Sequence, residues 1–154
     1  MFQSETYEVL DTLFYDKAVT GQKNSNWSLI RLDTPVTDET GTLLTANGNY
    51  AHYVVVNTNQ RFSVPVAVEF DVLETSYSSS KPSLNIVDNG FDNKSNLDSN
   101  SHYKFEIDST GFKCYKNGTY ISTVTGNLSN VRISLYIPST GATLKYTNFM
   151  IYPI

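Results

Sequence analysis

An all-β fold, an antiparallel sandwich of two packed sheets, is what this sequence predicts. Three observations carry the prediction. The hydrophobic period is two over most of the chain, which puts one face of each segment inside and the other in water. Turn signals recur at short intervals between those segments. The composition is poor in helix formers: Ala occurs five times, against 11 Tyr, 8 Phe and many β-branched residues. At 154 residues and 17.3 kDa the chain is long enough for one domain with a real core.

The elements follow in chain order. Residues 5–14 read either as a short amphipathic helical turn, with Val9, Leu10, Leu13 and Phe14 at helical spacing, or as the first strand. Residues 1–13 are accordingly either an amino-terminal docking arm or that first strand, and 14–154 form a single sandwich. Segments 43–44 and 51–56 are strand candidates; the run Tyr53-Val54-Val55-Val56 has no polar face and suits a strand covered on both sides. Val64, Val66, Val68, Phe70 and Val72 alternate with Pro65, Ala67, Glu69, Asp71 and Leu73. Segment 84–87 follows a polar loop, 76–82, and precedes a longer one, 88–101. Tyr103, Phe105 and Ile107 then alternate with His102, Lys104, Glu106 and Asp108. Strands 112–115 and 120–124 flank Asn117-Gly118, a pair that tolerates the positive φ of a two-residue primed turn. Val131, Ile133, Leu135 and Ile137 alternate with Arg132, Ser134 and Tyr136, and residues 142–154 close the fold. Asn148 breaks the alternation between Tyr146 and Phe149, which predicts a bulge there.

Charge and cysteine content remove several functions. Net charge is −4 and the 11 Lys and Arg are scattered, so there is no basic footprint for nucleic acid or for an anionic membrane. No apolar stretch nears the roughly 20 residues that span a bilayer, and the first residues, MFQSETYEVL, show no signal peptide. A lone cysteine, Cys114, makes no intramolecular disulfide; it shares parity with Phe112 and reads as a small core residue. Polarity comes from 15 Asn, 17 Ser and 17 Thr, which fill the outward strand positions and the loops.

Three stretches together carry a resemblance: VAVEFDVLE (66–74), HYKFEIDSTGFKCYKNGTYIS (102–122) and the closing VRISLYIPSTGATLKYTNFMIYPI (131–154), with Trp27 a dozen residues after Phe14-Tyr15-Asp16. They resemble the concanavalin-like jelly-roll modules on tails, fibres and capsid surfaces of tailed viruses, and the related carbohydrate-binding parts of cell-surface proteins. The resemblance implies a concanavalin-like jelly roll, a virion or extracellular location and multicopy or homo-oligomeric assembly. It further implies host-surface glycan or other virion proteins as partners. Three functions follow as expectations: non-enzymatic glycan binding, a purely structural decoration or assembly role, or a small glycoside hydrolase.

The residues offer candidates for each. Glu69-Phe70-Asp71-Val72-Leu73-Glu74 resembles the Glu-x-Asp-x-x-Glu strand of laminarinase-type glycoside hydrolases, which implies Glu69 as nucleophile, Asp71 as its support and Glu74 as acid/base. Regular alternation would put Glu74 on the other face unless a bulge intervenes. For sugar binding, Tyr rings supply stacking faces and amides or charges take the hydroxyls; Tyr115, Tyr136, Arg132, Asn85 and Tyr77 are the candidates, with Asn85 expected on the face of Glu69 and Asp71. No cofactor is expected. A structural calcium is the one ion considered: Asp88 and Asp92 lie in an oxygen-rich stretch with a glycine, and the related sandwiches suggest Asp16 near the first strand. His52 and His102 lack metal-ligand spacing and read as strand-surface residues. Four Asn-x-Ser/Thr sequons, at Asn26, Asn93, Asn117 and Asn127, are what so much Asn, Ser and Thr yields by chance.

Overall fold

The computed structural model describes residues 12–56 and 61–154. They form 14 strands and no helix: β1 (Phe14–Asp16), β2 (Trp27–Ile30), β3 (Val36–Thr37), β4 (Thr42–Thr45), β5 (Ala51–Val55), β6 (Phe62–Ser63), β7 (Val66–Ser76), β8 (Ser83–Asp88), β9 (Phe91–Asn96), β10 (Ser101–Asp108), β11 (Gly111–Lys116), β12 (Thr119–Thr125), β13 (Asn130–Ile137) and β14 (Thr143–Pro153). The first sheet runs β12-β11-β10-β7-β14-β4-β3, with β1 also on β14. The second runs β2-β5-β13-β8-β9, with β6 on β13. All pairings between these strands are antiparallel. The two-sheet sandwich expected from period-two patterning is the observed fold.

The inward residues match the pattern. Val66, Val68, Phe70 and Val72 of β7 and Tyr103, Phe105 and Ile107 of β10 are buried, as are Val131, Ile133, Leu135 and Ile137 of the opposing β13. Ring contacts run through the middle: Phe70 stacks near Phe149 at 5.2 Å, and Trp27 stacks on Tyr53 at 4.2 Å. Cys114 is in this core, and burial pushes its thiol up to about 11.

One carboxylate is buried with it. Asp16 Oδ2 accepts hydrogen bonds from Trp27 Nε1 at 2.8 Å, Tyr146 Oη at 2.7 Å and Lys23 Nζ at 3.0 Å. Its Oδ1 accepts the Ala18 and Asn24 amides, both at 2.9 Å. Burial lowers the Lys23 pKa while Asp16 opposes that, and burial raises the Tyr146 hydroxyl. The charge is tolerated because every lone pair has a donor.

Two irregularities in β7 and β14 position the outer face. Val72 pairs with Tyr146 but Glu74, not Leu73, pairs with Lys145, so Leu73 is an extra, bulged residue. In β14, Thr147 pairs with Asp71 and Met150 with Glu69; Asn148, at φ 50°, sits in that gap, as the break in alternation predicted.

Some expectations change. The stretch 88–101 is not one long loop: β9 forms a hairpin with β8 inside it. Its Asn, Lys and Ser residues disguise it, because an edge strand with a wet face needs no hydrophobic alternation. Tyr53, Val54 and Val55 of the run Tyr53–Val56 lie in β5, between β2 and β13, and Val54 is buried although its face is the outer one. Residues 1–11, most of the arm expected at 1–13 and of the helical turn at 5–14, lie outside the described residues; the Leu13 amide donates to the Ile151 carbonyl, and Phe14 opens β1.

Candidate functional site

The site is on the outer face of the first sheet, where β7, β10 and β11 lie side by side. With their even-numbered or odd-numbered partners buried, Glu69 and Asp71 of β7, His102, Lys104 and Glu106 of β10, and Lys113 and Tyr115 of β11 all point out. Glu69, His102, Lys104, Glu106, Tyr115 and Gly118 line a groove of about 360 Å³.

The floor is tightly hydrogen-bonded. His102 Nδ1 lies 2.6 Å from Asp71 Oδ1, and its Nε2 lies 2.6 Å from Glu69 Oε2. Ionised carboxylates have only acceptors, so the ring serves both of them by hydrogen bonds when it is protonated and each nitrogen donates. Burial works against that charge; the hydrogen bonds and charges of Asp71 and Glu69 outweigh it and raise the pKa above 6.5. Tyr152 Oη donates to the other oxygen of Glu69 at 2.6 Å. Lys104 meets Glu106 at 3.3 Å.

Aromatic rings and a turn form one wall. Tyr115 meets Tyr120 edge-on at 5.9 Å, and Tyr120 is 53% exposed. The β11–β12 turn has Asn117 at φ 52° and Gly118 at φ 81°, the left-handed pair of a primed hairpin. Asn117 Oδ1 accepts the His102 amide at 2.9 Å, and the Asn117 amide donates to the His102 carbonyl at 2.7 Å. The predicted turn therefore ties the wall to the residue that organises the floor.

The three acids of the motif share one face of the sheet. Glu69 and Asp71 share the outer face, and the Leu73 bulge brings Glu74 onto it too, opposite Lys145. The sugar-binding candidates do not come together. Tyr115 is in the groove. Tyr136, Arg132 and Asn85 face outward from the second sheet, on the opposite side of the sandwich, so Asn85 does not share the face of Glu69 and Asp71. Tyr136 there is 8% exposed, under the His52 ring at 4.8 Å and Lys94 Nζ at 5.1 Å; Asn85 is committed to Asp92 at 2.7 Å and the Asn93 carbonyl at 3.0 Å. Tyr77 is exposed on the β7–β8 loop and does not line the groove.

The three aspartates considered for calcium are each committed to protein partners. Asp16 is saturated by five donors in the core. Asp88 caps the Ser129 and Asn130 amides, and Asp92 binds Asn85 and Lys94. Among the described residues no three His, Cys, Asp or Glu side chains gather as a metal site would require. The His102 cluster does not qualify either, since the ring parts its two carboxylates with opposite nitrogens.

Sequence reasoning missed His102, Tyr152, Lys104 and Glu106. The outward parity of His102, Lys104 and Glu106 was readable; that their strand pairs with β7 was not, because β8 and β9 intervene in the chain. A larger cavity, about 650 Å³, opens beside Thr12, Val56 and Arg61, which border the undescribed segments; among the described residues its lining brings together no carboxylate or imidazole.

No family model matches the chain, and no curated protein matches its sequence. Solved structures do match its fold. A carbohydrate-binding module from Bacillus subtilis, of family 66, aligns over 83% of this chain and 96% of its own with 15% identity and a TM-score of 0.61. A Bacillus subtilis protein of unknown function with a galectin-like fold covers 92% and 95% at 11% identity, TM-score 0.64. A β-glucanase of Bacillus licheniformis covers 92% and 97% at 10% identity, TM-score 0.53. At such identities the likeness defines the fold, a jelly-roll sandwich of the concanavalin and galectin type, and assigns no chemistry.

Proposed function

We propose that this protein is a non-enzymatic carbohydrate-binding module whose site is the groove over β7, β10 and β11. One observation carries the reading: an open groove in which Tyr115, met edge-on by the exposed ring of Tyr120 outside the lining, stands beside a floor of ordered hydrogen-bonding groups. A ring face takes the apolar face of a sugar while carboxylates, lysine and imidazole take its hydroxyls. That the fold also serves proteins described as carbohydrate-binding supports it. In a glycan array and affinity electrophoresis, Tyr115→Ala should weaken binding about tenfold or more, a stacking contribution of the aromatic-contact order. An unchanged mobility shift would remove the groove from the reading.

The resemblance of the closing strand to tailed-virus modules is the ground for a finer proposal. The module sits on a virion surface, outside the cell, in several copies, so that weak sites act together on a host glycan. Immunogold labelling of particles tests this. Distal labelling agrees with attachment, and labelling confined to internal joints favours the structural role.

A second reading, glycoside hydrolysis, is favoured by the Leu73 bulge, which puts Glu69, Asp71 and Glu74 on one face. Against it, both oxygens of Glu69 are already engaged, by His102 and Tyr152. If hydrolysis is the function, the protein releases reducing ends from a polysaccharide and Glu69→Gln abolishes the release. No release by the unaltered protein disposes of it.

A further inference from the structure

The charges on this outer face oppose one another in register. His102 lies opposite Asp71 and Lys104 opposite Glu69 across β10 and β7; Glu106 lies opposite Lys113 across β10 and β11. Three acids thus meet three bases, and directly opposed unlike charges stabilise each other across a sheet. Contacts reinforce the pairing: His102 touches both Asp71 and Glu69, and Lys104 touches Glu106. Tyr152 donates a neutral hydrogen bond to Glu69, and Asn117 accepts the His102 backbone amide. With His102 protonated, the groove is polar yet its floor carries no net charge.

We infer that the groove selects an uncharged polysaccharide and that His102 is the residue that sets this selection; the inference rests on the carbohydrate-binding reading above. A neutral chain brings hydroxyls that both donate and accept, and it displaces no ion pair. A polyuronate would place carboxylates against Glu69 and Glu106, whose bases are already engaged. A polymer of amino sugars would place ammonium groups against Lys104 and His102. Among the six charged groups, His102 is the one that neutralises two acids at once, and it is the one whose charge an uncharged residue of similar reach removes most simply. Without it, Glu69 and Asp71 face the groove with Lys104 alone, and the floor becomes negative.

The test uses affinity electrophoresis at mildly acidic pH with soluble neutral polymers (a glucan, a mannan and a fructan), chitosan oligomers and polygalacturonate, each at low and high salt. The unaltered protein should be retarded by a neutral polymer alone, with little salt dependence. His102→Gln should gain chitosan binding about fivefold or more over the unaltered protein, and lose it at high salt, where exposed charges are screened. His102→Lys should keep the original selectivity. Asp71→Asn, which removes a negative charge, should shift the other way, toward polygalacturonate, and reads the same charge balance should His102→Gln fail a thermal-melt check of folding. Equal binding of neutral and charged polymers by the unaltered protein would overturn the selectivity and leave the glycan reading standing. Retardation by none of the polymers would overturn that reading as well. Equal chitosan affinity in His102→Gln and the unaltered protein would remove His102 from the role.

Discussion

His102 shows how one side chain can organise a surface. Its two nitrogens hold two carboxylates in place, and Tyr152 holds the far oxygen of Glu69. The arrangement requires the charged ring, so it is linked to pH. The folded-state pKa is raised above the ordinary 6.5, which makes the stabilisation complete below that value and lost as pH rises through the raised value. The side chain is 41% exposed, so solvent screening keeps the loss to about 1 kcal/mol or less. A histidine-selective NMR titration should find the His102 midpoint above 6.5. Urea midpoints should fall over the same interval, and His102→Gln should flatten that slope. A midpoint below 6.5 would contradict the doubly donating ring.

At the scale of elements, bulges and turns decide what reaches the groove. β7 needs its extra residue at Leu73 to turn Glu74 outward, and β14 needs Asn148 in the left-handed region to return Phe149 to the core. The β11–β12 hairpin forms the wall because Asn117 and Gly118 accept positive φ. A Cβ at Gly118 would meet no atom within 4 Å, so its cost is backbone strain alone. Gly118→Val should therefore destabilise by about 1–2 kcal/mol, the cost of a left-handed L-residue. The effect should appear in the denaturation midpoint with the slope unchanged. A cost near zero would mean the turn relaxes to another type.

The whole molecule is held together by apolar packing and by the buried carboxylate of Asp16. That carboxylate joins β1 and β14 of the first sheet, through its own backbone and Tyr146, to Trp27 of β2 in the second. Lys23 extends the network to Tyr53 of β5 at 2.8 Å. Asp16→Ala leaves buried donors without an acceptor and Lys23 without its counter-charge. The expected loss is about 3–5 kcal/mol in urea unfolding, the range for a broken buried pair. A loss below about 1 kcal/mol would show that the donors find other partners.

The sequence by itself determined the fold class, the inward series of β7, β10, β11 and β13, the Asn117-Gly118 turn and the break at Asn148. These are local matters: period two and positive φ are written in adjacent residues. It also placed Glu69 and Asp71 on one face and Cys114 inside. Only the tertiary structure decided that Asn85 and Tyr136 lie behind the sandwich from Tyr115, that β9 exists, and that Glu74 turns outward. It alone set His102 between Glu69 and Asp71. The reason is strand pairing: β7 and β10 are neighbours across a sheet but are separated in the chain by a hairpin of the opposite sheet. No alternation pattern specifies which distant strand supplies the partner. The groove exists at that pairing.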